Sequence, residues 1–350
     1  MKNWWKILGV LLLVYSLVVG MLVPLKPGVH SVTPFKLEAG KSGKVNIYGY
    51  NTFYTKAKSP IRVWLTLDEE NALAAETVSV ISDNHLVANF SMPAFFPSND
   101  EANSLSLWVD SDADGAATLP DAISVTNNHP DREKVDYVWV EKPVENLSQF
   151  DENTFPYRSM LGETIRNTYY HVPFWFAMML ILLSSMVFSW KYLQTLDIKY
   201  DHTAVALTQV GLLYGILGLV TGSIWARFTW DDWWSFDIKQ NMSAIAMLIY
   251  LAFFVLRSSF DDEEKKARIS NVYNIFAFSA LIPLLFVIPR LYDSLHPGNG
   301  GNPGFGGEDL DSTMRMVLYP AVFGWLLLGL WMAQLLKRMS ALRDKLYFSE

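Results

Sequence analysis

Apolar residues in this chain gather into six long runs separated by one alternating region. The first run covers residues 4–23 and is nearly free of charge. At ~1.5 Å of helix per residue it is long enough to span a bilayer. Lys2 and Lys6 lie at its start, as in a signal peptide, but it ends Met-Leu-Val-Pro-Leu-Lys-Pro with no small-x-small cleavage pattern. A retained first helix is therefore expected over 1–25. Five further runs follow, at about 172–193, 203–225, 242–255, 272–288 and 316–336. The 242–255 run is short, and Ile238 with the neighbouring uncharged residues extends it. The pattern predicts an all-α membrane bundle of six transmembrane helices.

Between the first two runs the periodicity changes from helical to alternating. Short β-rich stretches recur at 44–50, 61–67, 77–81, 86–90, 105–109 and 122–125, with Gly, Pro, Asn and Asp between them. Such spacing reads as a small antiparallel β-sandwich, a soluble domain over 34–128 inserted between helices 1 and 2. Residues 129–161 read as a polar, proline-containing linker, and a short interfacial helix is expected to lead into His171-Val172-Pro173. Residues 162–338 then form the five-helix remainder, and 339–350 a tail.

Inside the β region, Asp110, Asp112, Asp114, Thr118 and Asp121 match the ligand positions of a Ca²⁺ loop of the EF-hand type, with Gly115 at its turn position. The final position carries Asp where a bidentate Glu is usual, and the flanks are strands. An Asp/Gly-rich hairpin turn accounts for the same residues without metal.

Basic residues set the orientation. Lys2 and Lys6, Lys191 and Lys199, the 257–268 cluster and the 337–345 cluster all fall on one side of a six-span chain. That side is cytoplasmic by the positive-inside rule, and so are both termini. The β domain, the 222–237 stretch and the 290–315 loop share the outer side. Composition narrows the chemistry further. The chain of 350 residues has no cysteine, which excludes disulfides, thiolate metal sites and a covalent haem of its own. A net charge of -7 gives no basic face for nucleic acid.

One stretch stands apart. Residues 222–237 hold Trp225, Trp230, Trp233, Trp234, Phe236 and three aspartates, Asp237 among them. Read as one loop, it is either an interfacial aromatic belt or a shelf for a flat apolar ligand. His171 and His296 are the two histidines at outer helix ends beside it, and two imidazoles flanking an aromatic shelf fit axial ligands of a haem iron.

These residues resemble the haem-handling proteins of cytochrome c maturation that carry a tryptophan-rich WWD domain, and most closely the CcmC-type haem exporter protein C family. The family pattern is approximately G-S-I-W-G-x-x-x-W-G-T-W-W-x-W-D. Gly222, Ser223, Ile224, Trp225, Trp230, Trp233, Trp234 and Asp237 fall in register with it. Tyr169-Tyr170-His171-Val172-Pro173 and Leu295-His296-Pro297-Gly298 resemble the segments that carry the family's two essential histidines. Asp231 stands where the family usually has Gly, Phe236 stands for its last Trp, and the β insert is not a usual part of it. The resemblance covers about 162–338 and the first helix.

The resemblance implies haem b held transiently at the outer surface of a bacterial inner membrane. It also implies passage of that haem to a periplasmic haem chaperone, with ABC-transporter-type maturation subunits as partners. Trp225, Trp230, Trp233, Trp234, Phe236 and Asp237 would form the platform, and His171 and His296 the axial pair. Arg227, Lys239, Arg290 and Arg315 are cations placed to hold propionates, Arg being favoured by its fork, or else they anchor helix ends. Asp237 also reads as the cap of the following helix. Delivery is not an enzyme activity. Two other readings stay open: a haem lyase acting on apocytochrome c, and a haem-free transporter permease.

Overall fold

The computed structural model describes residues 3–94, 102–126, 144–296 and 310–347. The chain divides into two compact units, one of residues 23–163 and one of residues 1–22 with 164–350.

The first unit is sheet-rich. It contains β1 (Gly28–Thr33), β2 (Lys36–Glu38), β3 (Ser42–Tyr50), β4 (Arg62–Thr66), β5 (Ala72–Ala74), β6 (Thr77–Ser82), β7 (His85–Ser91), β8 (Ala102–Ser111) and β9 (Gly115–Thr126). They form two sheets, in order β1-β3-β7-β6 and β2-β9-β8-β4-β5. Neighbours are antiparallel, as in Val45 opposite Ala88 and Leu105 opposite Ile123, except that β2 runs parallel to β9. Alternate residues such as Val45, Ile47, Leu86 and Phe90 from one sheet and Val63, Leu65, Leu107 and Ile123 from the other share one apolar core. The alternation fixes register, because a slip by one residue would turn every core side chain outward. Strands β1, β2 and β5 escaped the pattern because they are short or lie before residue 34.

Residues 144–161, expected as linker, pack into this unit. Phe155 is buried, its N–H bonds Pro24 O at 2.9 Å, and Lys26 N–H bonds Phe155 O at 2.7 Å. His129 and the rest of the expected linker to residue 143 lie outside the described residues.

The second unit holds six helices long and apolar enough to cross a membrane. They are α1 (Trp4–Leu22), α2 (His171–Thr195), α3 (Ile198–Trp230), α4 (Ile238–Ser258), α5 (Glu263–Ile282) and α6 (Ser312–Tyr347). Asp197, Asp237 and Asp262 cap α3, α4 and α5 by accepting backbone N–H groups two or three residues on. Helix α1 packs on α6 through small residues: a Cβ on Gly9 would stand 2.9 Å from Leu327 Cβ, and Ser16 Oγ donates to Val317 O at 3.4 Å. Helix α5 runs on through a wide turn at Pro283–Val287 and a tight one at Ile288–Arg290. The interfacial helix expected before His171 is a 3₁₀ run, Gly162–Tyr169.

Helices α2 and α3 meet along a seam of glycines. A Cβ on Gly211 would come within 2.4 Å of Leu182, one on Gly218 within 2.7 Å of Trp175, and one on Gly222 within 2.8 Å of His171. The α3 numbers rise as the α2 numbers fall, so the helices are antiparallel. Close approach through small residues is a common way for membrane helices to pack. Here it brings the first residue of α2 against the last turns of α3.

Candidate functional site

The aromatic stretch is half helix and half loop. Nothing from Ser223 to Trp230 breaks a helix, and α3 continues through Trp230. It stops at Asp231, whose backbone is left-handed at φ 61°. Glycine is the usual residue for that conformation at a helix end. Asp231 is held there by its own neighbour, since Arg227 one turn back bonds both its carboxylate and its backbone carbonyl. The Asp231 side chain is 92% exposed and points outward. Asp231→Gly is accordingly expected to leave the melting temperature of the detergent-purified protein unchanged or to raise it. A clear fall would show that the pairing with Arg227 outweighs the backbone preference.

Residues 231–237 are pinned from several sides. Ser223 Oγ donates to Trp233 O at 2.8 Å, Trp234 Nε1 to Asn241 Oδ1 at 3.1 Å, and Ser235 N to Gln240 Oε1 at 3.0 Å. Trp233 and Phe236 stay 55% and 77% exposed, so the loop presents rings outward. Phe236 sits at φ 57°, with its carbonyl held by Asn241 Nδ2 at 2.7 Å.

Asp237 is the hub. Its buried carboxylate caps α4 through Lys239 N at 2.8 Å, accepts Leu295 N through Oδ2 at 2.8 Å, and meets His296 Nδ1 at 2.9 Å. Burial alone would raise its pKa. Hydrogen bonds from His296 and Ser294, the charge of His296 and the Leu295 amide prevail, holding the carboxyl well below the usual carboxylate range. With Nδ1–H given to a carboxylate, the neutral form of His296 carries its lone pair on Nε2, an arrangement that recurs behind metal-binding histidines. The imidazole lies against Trp230, ring centres 4.8 Å apart, and Trp225, 5.7 Å away. Those two indoles stack edge-on at 4.8 Å.

His171 meets the same end of α3. Thr221 Oγ1 donates to Leu217 O at 2.8 Å and therefore accepts from His171 Nδ1–H at 3.0 Å. The lone pair on His171 Nε2 accepts the Trp175 indole N–H at 3.2 Å. Gly222 beside His171 and Trp225 beside His296 are three residues apart, about 4.5 Å along the α3 axis. Two imidazoles and a Trp pair thus gather on a single helix end. Such a set can take a transition-metal centre and a flat apolar ring.

The four candidate cations do not behave alike. Arg227 is committed to Asp231. Lys239 sits half-buried in the first turn of α4, and Arg290 ends the 3₁₀ turn after α5, exposed. Arg315, in the first turn of α6, has its Nε buried without a hydrogen-bond partner among the described residues, a donor that an anion would satisfy. Pro297 and Gly298, which complete the second histidine segment, lie outside the described residues.

The candidate Ca²⁺ ligands are not brought together. Asp110 pairs with Arg62 and accepts Ser148 N at 2.7 Å, Asp112 accepts Lys58 and Ser59 amides, both at 3.0 Å, and Asp114 accepts Phe53 N at 2.9 Å. Thr118 pairs across the ladder with Trp108, and Asp121 takes a positive φ of 50°. Among the described residues no group of three or more His, Cys, Asp or Glu could hold a metal ion. The Asp residues instead tie the β8–β9 hairpin to neighbouring segments.

Sequence reasoning missed Thr221, Trp175, Asn241 and Gln240. Helical spacing carried the signal, because Trp175 is four residues from His171 and Asn241 four from Asp237.

The family model described as "Heme exporter protein C" matches residues 154–347. "Heme exporter protein C" of Haemophilus influenzae is 27% identical over 186 residues, 52% of this chain and 74% of its own length. That of Escherichia coli strain K12 is 27% identical over 169 residues, 48% of this chain and 66% of its own. "Cytochrome c biogenesis protein CcsA" of Prochlorococcus marinus is 32% identical over 78 residues, 22% of this chain and 25% of its own.

Proposed function

The chain belongs to the haem exporter protein C family, and we propose that it holds haem at the outer surface of the bacterial inner membrane and delivers it during c-type cytochrome biogenesis. The acceptor is a periplasmic haem chaperone, and ABC-transporter-type maturation subunits are the partners. One observation carries the reading. His296, locked by Asp237 with Nε2 directed away from the bond, stands against Trp225 and Trp230 one helical turn from the His171 contact with Gly222.

Haem b supplies an iron that takes axial nitrogen ligands and two propionates that need cations. The residues fit those needs. His171 and His296 are the axial pair. Trp225, Trp230, Trp233, Trp234 and Phe236 form the shelf, and Asp237 supports it from behind as cap and histidine anchor. Arg315 is the best supported propionate cation through its buried Nε, followed by Arg290 and Lys239. Both termini are cytoplasmic in this reading, and the β unit lies outside. We read that unit as a small β-sandwich on the strength of the apolar core its two sheets share.

Delivery needs a haem edge that stays within reach of an acceptor, and the exposed Trp233 and Phe236 suit that. Replacing Trp233 and Trp234 together with alanine is expected to lower loading of a co-expressed haem chaperone more than it lowers the amount of membrane protein. Loss of the protein alone, with loading per molecule unchanged, would make the pair structural. Co-purification with a chaperone, as against an apocytochrome, separates delivery from haem-lyase chemistry.

A further inference from the structure

The two histidines are held unequally. His296 gives its Nδ1–H to Asp237, and among the described residues no hydrogen bond reaches its Nε2. His171 Nε2 accepts Trp175 Nε1–H at 3.2 Å, while its Nδ1–H stays on Thr221. A neutral imidazole has one in-plane lone pair, so an iron and the Trp175 indole compete for the same nitrogen. Trp175 is also fixed by packing. It sits one turn along α2 from His171, its ring edge-on to the imidazole at 6.1 Å, and a Cβ on Gly218 would stand 2.7 Å from its Cε2.

We propose that Trp175 makes His171 the later and weaker axial ligand: His296 takes the iron first through its open Nε2, and His171 joins only when Trp175 releases Nε2. The inference rests on the haem reading of the site. The new bond is a dative one from Nε2 to iron. It breaks only the indole hydrogen bond, and no proton moves, because Nδ1–H remains on Thr221. Trp175 acts through His171 and is a positioning residue. The same competition gives the molecule one bond that is easier to open when haem is handed on.

Stopped-flow absorbance of the full-length protein in detergent, mixed with ferric haem, tests the order. Wild type is expected to form a five-coordinate high-spin species first and a six-coordinate low-spin species second. His171→Ala should keep a fast phase and stop at the first species, whereas His296→Ala should lose the fast phase. Trp175→Phe removes the competing donor, and a neutral hydrogen bond of ordinary net strength corresponds to a second phase about 2- to 10-fold faster. The two histidine variants test the order even where Trp175→Phe does not fold. Single-step six-coordination in wild type, equal loss of the fast phase in both histidine variants, or an unchanged second phase in folded Trp175→Phe would overturn the proposal. A wild-type protein that gives no Soret band would instead overturn the reading of the site itself.

Discussion

Protein carrying His171→Ala together with His296→Ala is expected to reach the membrane in near-normal amount and to purify without a Soret band after haem supply. Each histidine sits at a helix or loop end, so its loss removes its contacts with Gly222 or with Trp225 and Trp230 but leaves the apolar core of the bundle intact. Haem would keep its contacts with the aromatic shelf and with the propionate cations, none of which gives an axial bond. The single variants should retain haem more weakly and with altered spectra. A double variant that keeps the wild-type band would show that iron ligation lies elsewhere.

The second large effect is expected at Asp237, which touches no ligand. Asp237→Ala removes the cap of α4, a change that typically costs about 1 kcal/mol. It also releases the Ser294 side chain, the Leu295 amide and the His296 imidazole, so the His296 segment loses these anchors at the start of α4 at once. Removing such a partner behind a metal-binding histidine generally lowers affinity about 10- to 100-fold. Haem retention should fall by that order while the far-ultraviolet helix signal stays close to wild type. Asp237→Asn keeps the cap and an oxygen for His296 but turns an N–H group toward Leu295, so an intermediate loss is expected. If Asp237→Ala binds haem as wild type does, the residue is a helix cap and nothing more.

Much of this was legible before any coordinates. The six apolar runs became six helices because membrane spans are long, uninterrupted and poor in charge. The longer strands were visible from alternation, and β8 and β9 simply extended beyond it into Ala102–Ser111 and Gly115–Thr126. His171, His296 and the tryptophans stood out by residue type and by the side of the membrane they were expected to share.

What stayed hidden depended on through-space pairing. Asp231 read only as a departure from the family's usual Gly, yet the helix ends there and Arg227 pairs with its exposed carboxylate. Asp237 read as a cap, and only the fold shows that the same carboxylate reaches across to Leu295 and His296. The Ca²⁺ pattern of Asp110, Asp112 and Asp114 matched by spacing alone. Alternation along β8 and the turn after it sends the three carboxylates to different amides and to Arg62. The glycine seam that seats His171 was present as Gly211, Gly218 and Gly222, but its partner residues on α2 could not be paired without the helix register.

The central claim is that His171 and His296 clasp one haem iron between them on the Trp225–Trp230 face. Electron paramagnetic resonance of the ferric, haem-loaded protein tests it most directly. The account predicts a low-spin bis-imidazole signal in wild type that turns high-spin in His171→Ala and in His296→Ala alike. A low-spin signal that survives both single substitutions unchanged would contradict it.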